Sequence, residues 1–327
     1  MIYKNVFFVN SYQTLMQMLA INPNNNLKIF VSDKCPNAVM VNETLLKYGY
    51  DSEIDCQYYP RNIMSSAILN MFKASVYYLY SINNLKCNTT TYVNGSISSR
   101  NRLKYVSISN NIIYLDDGFQ HYQTHYQNSE NYFYKPIESY KERVISFLFP
   151  FKLNCSSDKI SKVVFTNKNL AEKFFFYHKL NKNNKVLSYF DVNQNIKKND
   201  KCLQVINDIF PDVKKFGLKG SFDIYDKEII LLTQPFYEDG YMSLYENIKI
   251  YKNYVLCNLE DVSKMVLKPH PREKIDKYLE LEKLGVTVLR LDFPLELLGL
   301  YYYDFELGVT VDSTAAFSKP IKRILFI

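Results

Sequence analysis

Short aliphatic and aromatic runs recur along this chain, most of them followed by a stretch of helical spacing. Val6 to Val9 ends in Asn10-Ser11-Tyr12-Gln13-Thr14, after which Leu15, Met16, Met18, Leu19 and Ile21 follow at helical intervals. Strand, polar turn and helix open a βαβ unit, and Leu27 to Val31 supplies its second strand. Further strands are predicted at Asn111 to Leu115, Lys162 to Asn167, Glu228 to Leu232, Met265 to Lys268, Val286 to Leu291 and Phe305 to Val311. Helices are expected over residues 59–83 and 138–149, through Phe174 and Tyr177, and over 205–210, 242–251, 273–283 and 295–300. Leu85 to Arg102 reads as a polar loop. An α/β chain with parallel sheets follows, and charged and glycine residues between Lys214 and Asp226 mark the connection between two domains, 1–220 and 221–327.

With 327 residues, 47% hydrophobic, the chain can bury two cores. Its net charge of +7 suits anionic ligands or an anionic membrane surface, but no dense basic run argues for nucleic acid. The six cysteines form no CxxC pair, so neither a disulfide framework nor a zinc site is expected, and a reducing cytosol is the default. Met1 to Val9 is too short and too quickly polar for a signal peptide, and no later window is a membrane-length apolar stretch.

Three strand exits carry polar chemistry. Met265 to Lys268 runs into Pro269-His270-Pro271-Arg272. Each proline fixes its own φ and disfavours the helical region for the residue before it, so His270 is held extended between two cations. Such a loop can receive a phosphate, although an ordinary proline turn would read the same. Asn111 to Leu115 runs into Asp116-Asp117-Gly118. Two adjacent acids repel unless one is solvated or protonated, and a raised pKa in one would suit a general base. A hairpin turn is the alternative. His121 and His125 just beyond are expected to be loop residues, since two histidines make no metal site. Phe305 to Val311 runs into Asp312-Ser313-Thr314-Ala315-Ala316, a helix start that either binds phosphate through free N–H groups or simply caps a helix. Ser11 to Thr14 carry the same ambiguity at the end of the first strand.

Taken in order, Asp116-Asp117-Gly118, His270-Pro271 and Ser313-Thr314 resemble the Asp/Glu-Asp/Glu-Gly, His-Pro and Ser/Ser-Thr motifs of bacterial sialyltransferases. The nearest group is glycosyltransferase family 52, the lipooligosaccharide sialyltransferases. The resemblance implies a GT-B fold, two Rossmann-like domains facing each other across a cleft, with the acceptor on the 1–220 side and the nucleotide sugar in 221–327. It implies inverting transfer of sialic acid from CMP-sialic acid to a galactose-terminated surface glycan, in lipooligosaccharide or capsule biosynthesis, without a cofactor or an obligatory metal. Asp117 would take the proton of the acceptor hydroxyl, with Asp116 as its neighbour and tuner. His270 would hydrogen-bond or protonate the leaving phosphate. Lys268, Pro269, Pro271, Arg272, Thr233, Gln234, Ser313 and Thr314 would bind the donor, and Ser11, Gln13 and Gly118 the acceptor.

Some family members carry an acid just after the proline that ends the first strand of the second domain. Here Phe236 follows Pro235, and Glu238 and Asp239 come slightly later, so either of these acids is an alternative base. The resemblance also implies a further helical tail after the Ser-Thr motif. Other readings are a GT-B transferase with another donor, such as a glucosyl- or polysialyltransferase, or a non-catalytic glycan-binding protein. A cytoplasmic location is expected. Lys319, Lys322 and Arg323 beside Ile324, Leu325 and Phe326 offer a peripheral contact with the inner membrane, against the alternative of a last core strand.

Overall fold

The computed structural model describes residues 3–21, 27–56, 87–94, 100–115, 160–166, 186–189, 191–212, 226–290, 293–301, 304–311, 313–317 and 321–327. The chain divides into two compact units, Met1–Val205 and Ile206–Ile327.

In the first unit the described strands are β1 (Asn5–Val9), β2 (Lys28–Ser32), β3 (Asp51–Asp55), β4 (Cys87–Val93), β5 (Ser109–Leu115), β6 (Lys162–Phe165) and β7 (Val186–Tyr189). They form one seven-stranded sheet in the order β3-β2-β1-β4-β5-β6-β7, and every pairing is parallel. The described helices are α1 (Tyr12–Ile21), α2 (Ala38–Lys47), α3 (Arg100–Ile108), α4 (Val192–Lys197) and α5 (Asp200–Ile209), the last containing the boundary between the units. Val6, Phe7, Phe8 and Val9 are all buried, as a strand covered on both faces requires. Phe7 stacks on Tyr92 at 3.9 Å and Phe8 on Phe30 at 5.0 Å between ring centroids.

The expected polar loop at Leu85 to Arg102 is overturned. Its middle is β4, between β1 and β5 in the sheet interior, and α3 begins at its end. Threonine is β-branched and suits a pleated strand once its hydroxyl finds a partner. Thr89 Oγ1 donates to the Tyr3 carbonyl at 2.7 Å, and Thr91 Oγ1 pairs with Ser109 Oγ at 2.5 Å. Both threonines are buried. The helices expected over 59–83, 138–149 and through Phe174 and Tyr177 lie outside the described residues.

The second unit carries β8 (Ile229–Leu232), β9 (Met265–Lys268), β10 (Thr287–Val288), β11 (Phe305–Thr310) and β12 (Ile321–Phe326). They form a parallel five-stranded sheet in the order β10-β9-β8-β11-β12. Its described α-helices beyond α5 are α6 (Leu244–Cys257) and α7 (Leu279–Lys283). A capping box sets the start of α6: Ser243 accepts from the Glu246 amide, and the Glu246 side chain accepts from the Ser243 amide. Leu231, Tyr251, Val255, Met265, Leu267, Tyr278 and Leu281 form its core. The helix expected over 273–283 is split into a 3-10 turn at Ile275–Tyr278 and the short α7. The terminal residues do form a strand, but at the sheet edge, where Leu325 and Phe326 are exposed and Lys322 pairs with Glu306.

Both strand orders are doubly wound, as expected of Rossmann-like domains. The order reverses between β1 and β4 in the first sheet and between β8 and β11 in the second. Crevices outside the carboxyl ends of strands open at such switch points. No described helix is long and apolar enough to cross a membrane.

Candidate functional site

The exits of β8, β9 and β11 share the carboxyl edge of the second sheet and carry most of the expected donor-binding residues. His270-Pro271-Arg272-Glu273 is a four-residue turn closed by the Glu273 amide donating to the His270 carbonyl at 2.9 Å. Proline at its second position presets φ for such a turn. The Arg272 amide donates to His270 Nδ1 at 3.2 Å. An imidazole that accepts at Nδ1 carries its proton on Nε2, so His270 presents an Nε2–H donor. Burial, seconded by the Arg272 and Lys268 charges and opposed by Glu273 and Asp239, pushes its pKa down to about 4. The ring is therefore neutral at pH 7, and the free protein holds it as a hydrogen-bond donor rather than as an acid.

The two flanking cations separate. Lys268 ends β9 with 7% of its surface exposed, and its Nζ lies 5.1 Å from the Phe293 ring centroid. Arg272 is exposed and engages Asp239 through both guanidinium nitrogens, with Nη2 3.0 Å from Oδ2. Pro269 is buried and Pro271 exposed.

The two alternative acids sit on a single helical turn after β8. The Tyr241 amide bonds to the Phe236 carbonyl at 2.8 Å and the Gly240 amide to that of Tyr237 at 3.0 Å, with Gly240 at φ +76°. This is a Schellman closure, and the positive φ explains the glycine. Glu238 accepts from Lys277 Nζ at 3.1 and 3.0 Å and from the Lys274 amide at 3.3 Å. Burial alone would raise the Glu238 carboxyl, but the Lys277 ammonium outweighs it and holds the group below the usual carboxylate range. A carboxylate stabilised in this way is a weak base. Asp239 is engaged by Arg272.

Beneath the turn lies a residue that sequence reasoning took for ordinary helix. The Glu273 side chain is fully buried and accepts from the Thr233 hydroxyl, the His270 amide at 2.7 Å, the Tyr278 hydroxyl at 2.8 Å and Lys277 Nζ at 2.7 Å. Thr233 Oγ1 also receives the His270 amide at 3.3 Å. An acid three residues beyond a histidine, with proline between, is the available signal, because it can fold back onto the histidine amide. The Gln234 carbonyl receives Asn247 Nδ2 at 3.4 Å. Ser313 is buried, and its amide donates to Thr310 Oγ1 at 2.8 Å, so that N–H points inward. Thr314 opens a 3-10 turn, Thr314–Phe317.

In the first unit, Ser11 and Thr14 cap α1: Ser11 Oγ accepts from the Thr14 amide at 3.3 Å, and Thr14 Oγ1 accepts from the Asn10 and Ser11 amides, each at 3.0 Å. Gln13 is half-buried in the first turn. At the switch point, Arg102 Nη2 donates to Asn10 Oδ1 at 2.6 Å, and Asn10 Nδ2 donates to Asn94 Oδ1 at 2.9 Å. Since arginine can only donate, it sets the orientation of both amides in turn. Asp116, Asp117, Gly118, His121 and His125 lie outside the described residues. Among those described, no group of three or more His, Cys, Asp or Glu side chains gathers as a metal would need.

Two successive parallel sheets, the second with a polar carboxyl edge, define a doubly wound α/β protein. No family model matches the chain. An uncharacterized protein of Haemophilus influenzae is 35% identical over 130 residues. That match covers 40% of this chain and 40% of the relative, so the chain spans under half of its length. The UDP-GlcNAc 2-epimerase of Neisseria meningitidis, solved with UDP-GlcNAc, is similar at TM-score 0.48 and 12% identity over 98% of this chain and 82% of that one. Staphylococcus aureus MnaA, solved with UDP, gives 0.45 and 12% over 95% and 75%. At these scores neither likeness bears on substrate or reaction.

Proposed function

We propose that the chain is a GT-B glycosyltransferase that moves sialic acid from CMP-sialic acid to a galactose-terminated surface glycan. The observation that carries this reading is the neutral His270 imidazole at the carboxyl edge of β9, its Nδ1 engaged by the Arg272 amide so that Nε2 carries the proton, beside the exposed Arg272 side chain.

In this reading the acceptor hydroxyl attacks the anomeric carbon of the sialyl group, and the bond from that carbon to the phosphate oxygen breaks. The electron pair leaves with CMP, and configuration inverts. Negative charge grows on the departing phosphate, where a fixed Nε2–H donor and a guanidinium act most strongly. His270 then serves as the hydrogen-bonding partner of that phosphate, and Arg272 exchanges Asp239 for it. Asp117 takes the hydroxyl proton. Glu238 is held by Lys277 below the usual carboxylate range, which favours Asp117 over it. Thr233 supports the turn through its bonds to Glu273 and the His270 amide, and Ser11 and Gln13 would bind the acceptor. No cofactor or metal is needed for these steps. The reaction would take place in the cytoplasm, with the exposed Leu325 and Phe326 beside Arg323 as the contact with the inner leaflet.

The test is incubation with CMP-sialic acid and lactose, with sialyllactose identified by mass spectrometry. His270→Ala and Asp117→Ala are expected to slow transfer by about 10²–10⁴-fold. Tight UDP binding without CMP binding would replace the donor. Glycan binding that survives in both variants, with no turnover in the parent, would make the protein a glycan binder instead.

A further inference from the structure

We infer that Glu273 is the positioning residue of this site: its carboxylate ties the His270 amide to the Thr233 hydroxyl and so sets the turn that presents the His270 Nε2–H. Only the purpose of that imidazole, donation to a leaving phosphate, rests on the reading above.

One carboxylate offers about four acceptor positions. All four are used here, by a hydroxyl on β8's exit, a main-chain amide in the turn, the Tyr278 phenol and the Lys277 ammonium. Bonds to a charged acceptor are stronger than neutral ones, and no water competes at a side chain with 0% exposure. The Glu273 carboxylate bonds to the main-chain amide of His270, so it holds the turn through the backbone. With the His270 amide held from below and the Glu273 amide returned to the His270 carbonyl, the Arg272 amide is left facing Nδ1. That single bond selects the tautomer. The groups around the ring, Arg272, Lys268, Asp239 and Glu273, include two of each sign, so net charge alone does not select it.

The experiment is nitrogen-resolved NMR of the His270 imidazole in the full chain, with CMP titration alongside. In the parent, Nδ1 is expected at the position of an unprotonated ring nitrogen and Nε2 at that of a protonated one. Glu273→Gln keeps the shape but replaces one acceptor oxygen by a donor. It is expected to average the two nitrogens and to weaken CMP binding about tenfold, the loss of one charge-assisted bond. If the carboxylate only stabilised the fold, Glu273→Gln would lower the urea midpoint and leave the ring nitrogens unchanged. A folded Glu273→Gln protein with parental ring shifts overturns the inference. Should that variant not fold, the parent's own His270 amide decides: it is expected downfield and protected from exchange, and exchange at the rate of an open loop overturns the proposal. If CMP does not bind the parent, the donor reading fails, while the ring nitrogens still judge Glu273.

Discussion

The amide of His270 reaches a carboxylate oxygen of Glu273 at 2.7 Å, while the amide of Glu273 returns a bond to the His270 carbonyl at 2.9 Å. The two residues clasp each other across Pro271 and Arg272. The clasp makes a proline-rich strand exit into a rigid platform for one imidazole, and its rigidity depends on the charges beneath it.

Lys277 is the centre of those charges. Its side chain is 4% exposed and lies 2.7 Å from Glu273 and 3.0 Å from Glu238. Lys277→Met is expected to cost about 3–5 kcal/mol, because it strands the buried Glu273 carboxylate without its cation. Urea denaturation of parent and variant measures it.

His270 should make stability depend on pH. Its folded pKa, about 4, lies below its ordinary value of 6.5. In that window the unfolded chain binds a proton that the folded chain refuses, so stability falls as pH drops from 6.5 to 4. Above 6.5 both states are neutral and the effect vanishes. Urea midpoints across the window should slope less in His270→Asn than in the parent.

Gly308 lies where β11 meets β12. A Cβ there would come within 2.9 Å of Ile321 Cγ2 and 3.0 Å of its Cδ1. Gly308→Ala is expected to destabilise by about 1–3 kcal/mol, with part of the loss recovered in the double variant with Ile321→Val. Thermal unfolding of the four proteins in this cycle measures the coupling.

Arg102 orients Asn10 and Asn94 from a position with 2% exposure, and it also donates to the Asn94 carbonyl at 2.9 Å. Arg102→Leu removes the donors that set both amides. A loss of about 2–3 kcal/mol is expected, since hydrogen bonds to a charged group exceed neutral ones. Chemical denaturation checks it, with Asn10→Ala expected to share part of the same loss rather than add to it.

Local sequence was enough to place β1, β2, β5, β6, β8, β9 and β11, because a strand buried on both faces must be almost wholly apolar and needs a polar exit. It also marked His270 between two prolines, whose effect on φ is covalent and needs no tertiary context. It misread β4, since Thr89 and Thr91 are polar until Tyr3 and Ser109, distant in sequence, pair with their hydroxyls. Lys268 and Arg272 look alike as flanking cations. Only packing turns one inward over Phe293 and leaves the other exposed against Asp239. Glu238 and Asp239 look like free acids until Lys277 and Arg272 arrive from more than thirty residues away. The spacing of Glu273 from His270 signals the bond to the histidine amide, but the rest of its partners assemble only once β8 and β9 lie side by side, because its acceptor positions are filled from both strand exits and from Lys277 and Tyr278. Covalent geometry and hydrophobic periodicity are local properties of a chain; the pairing of a buried charge is not.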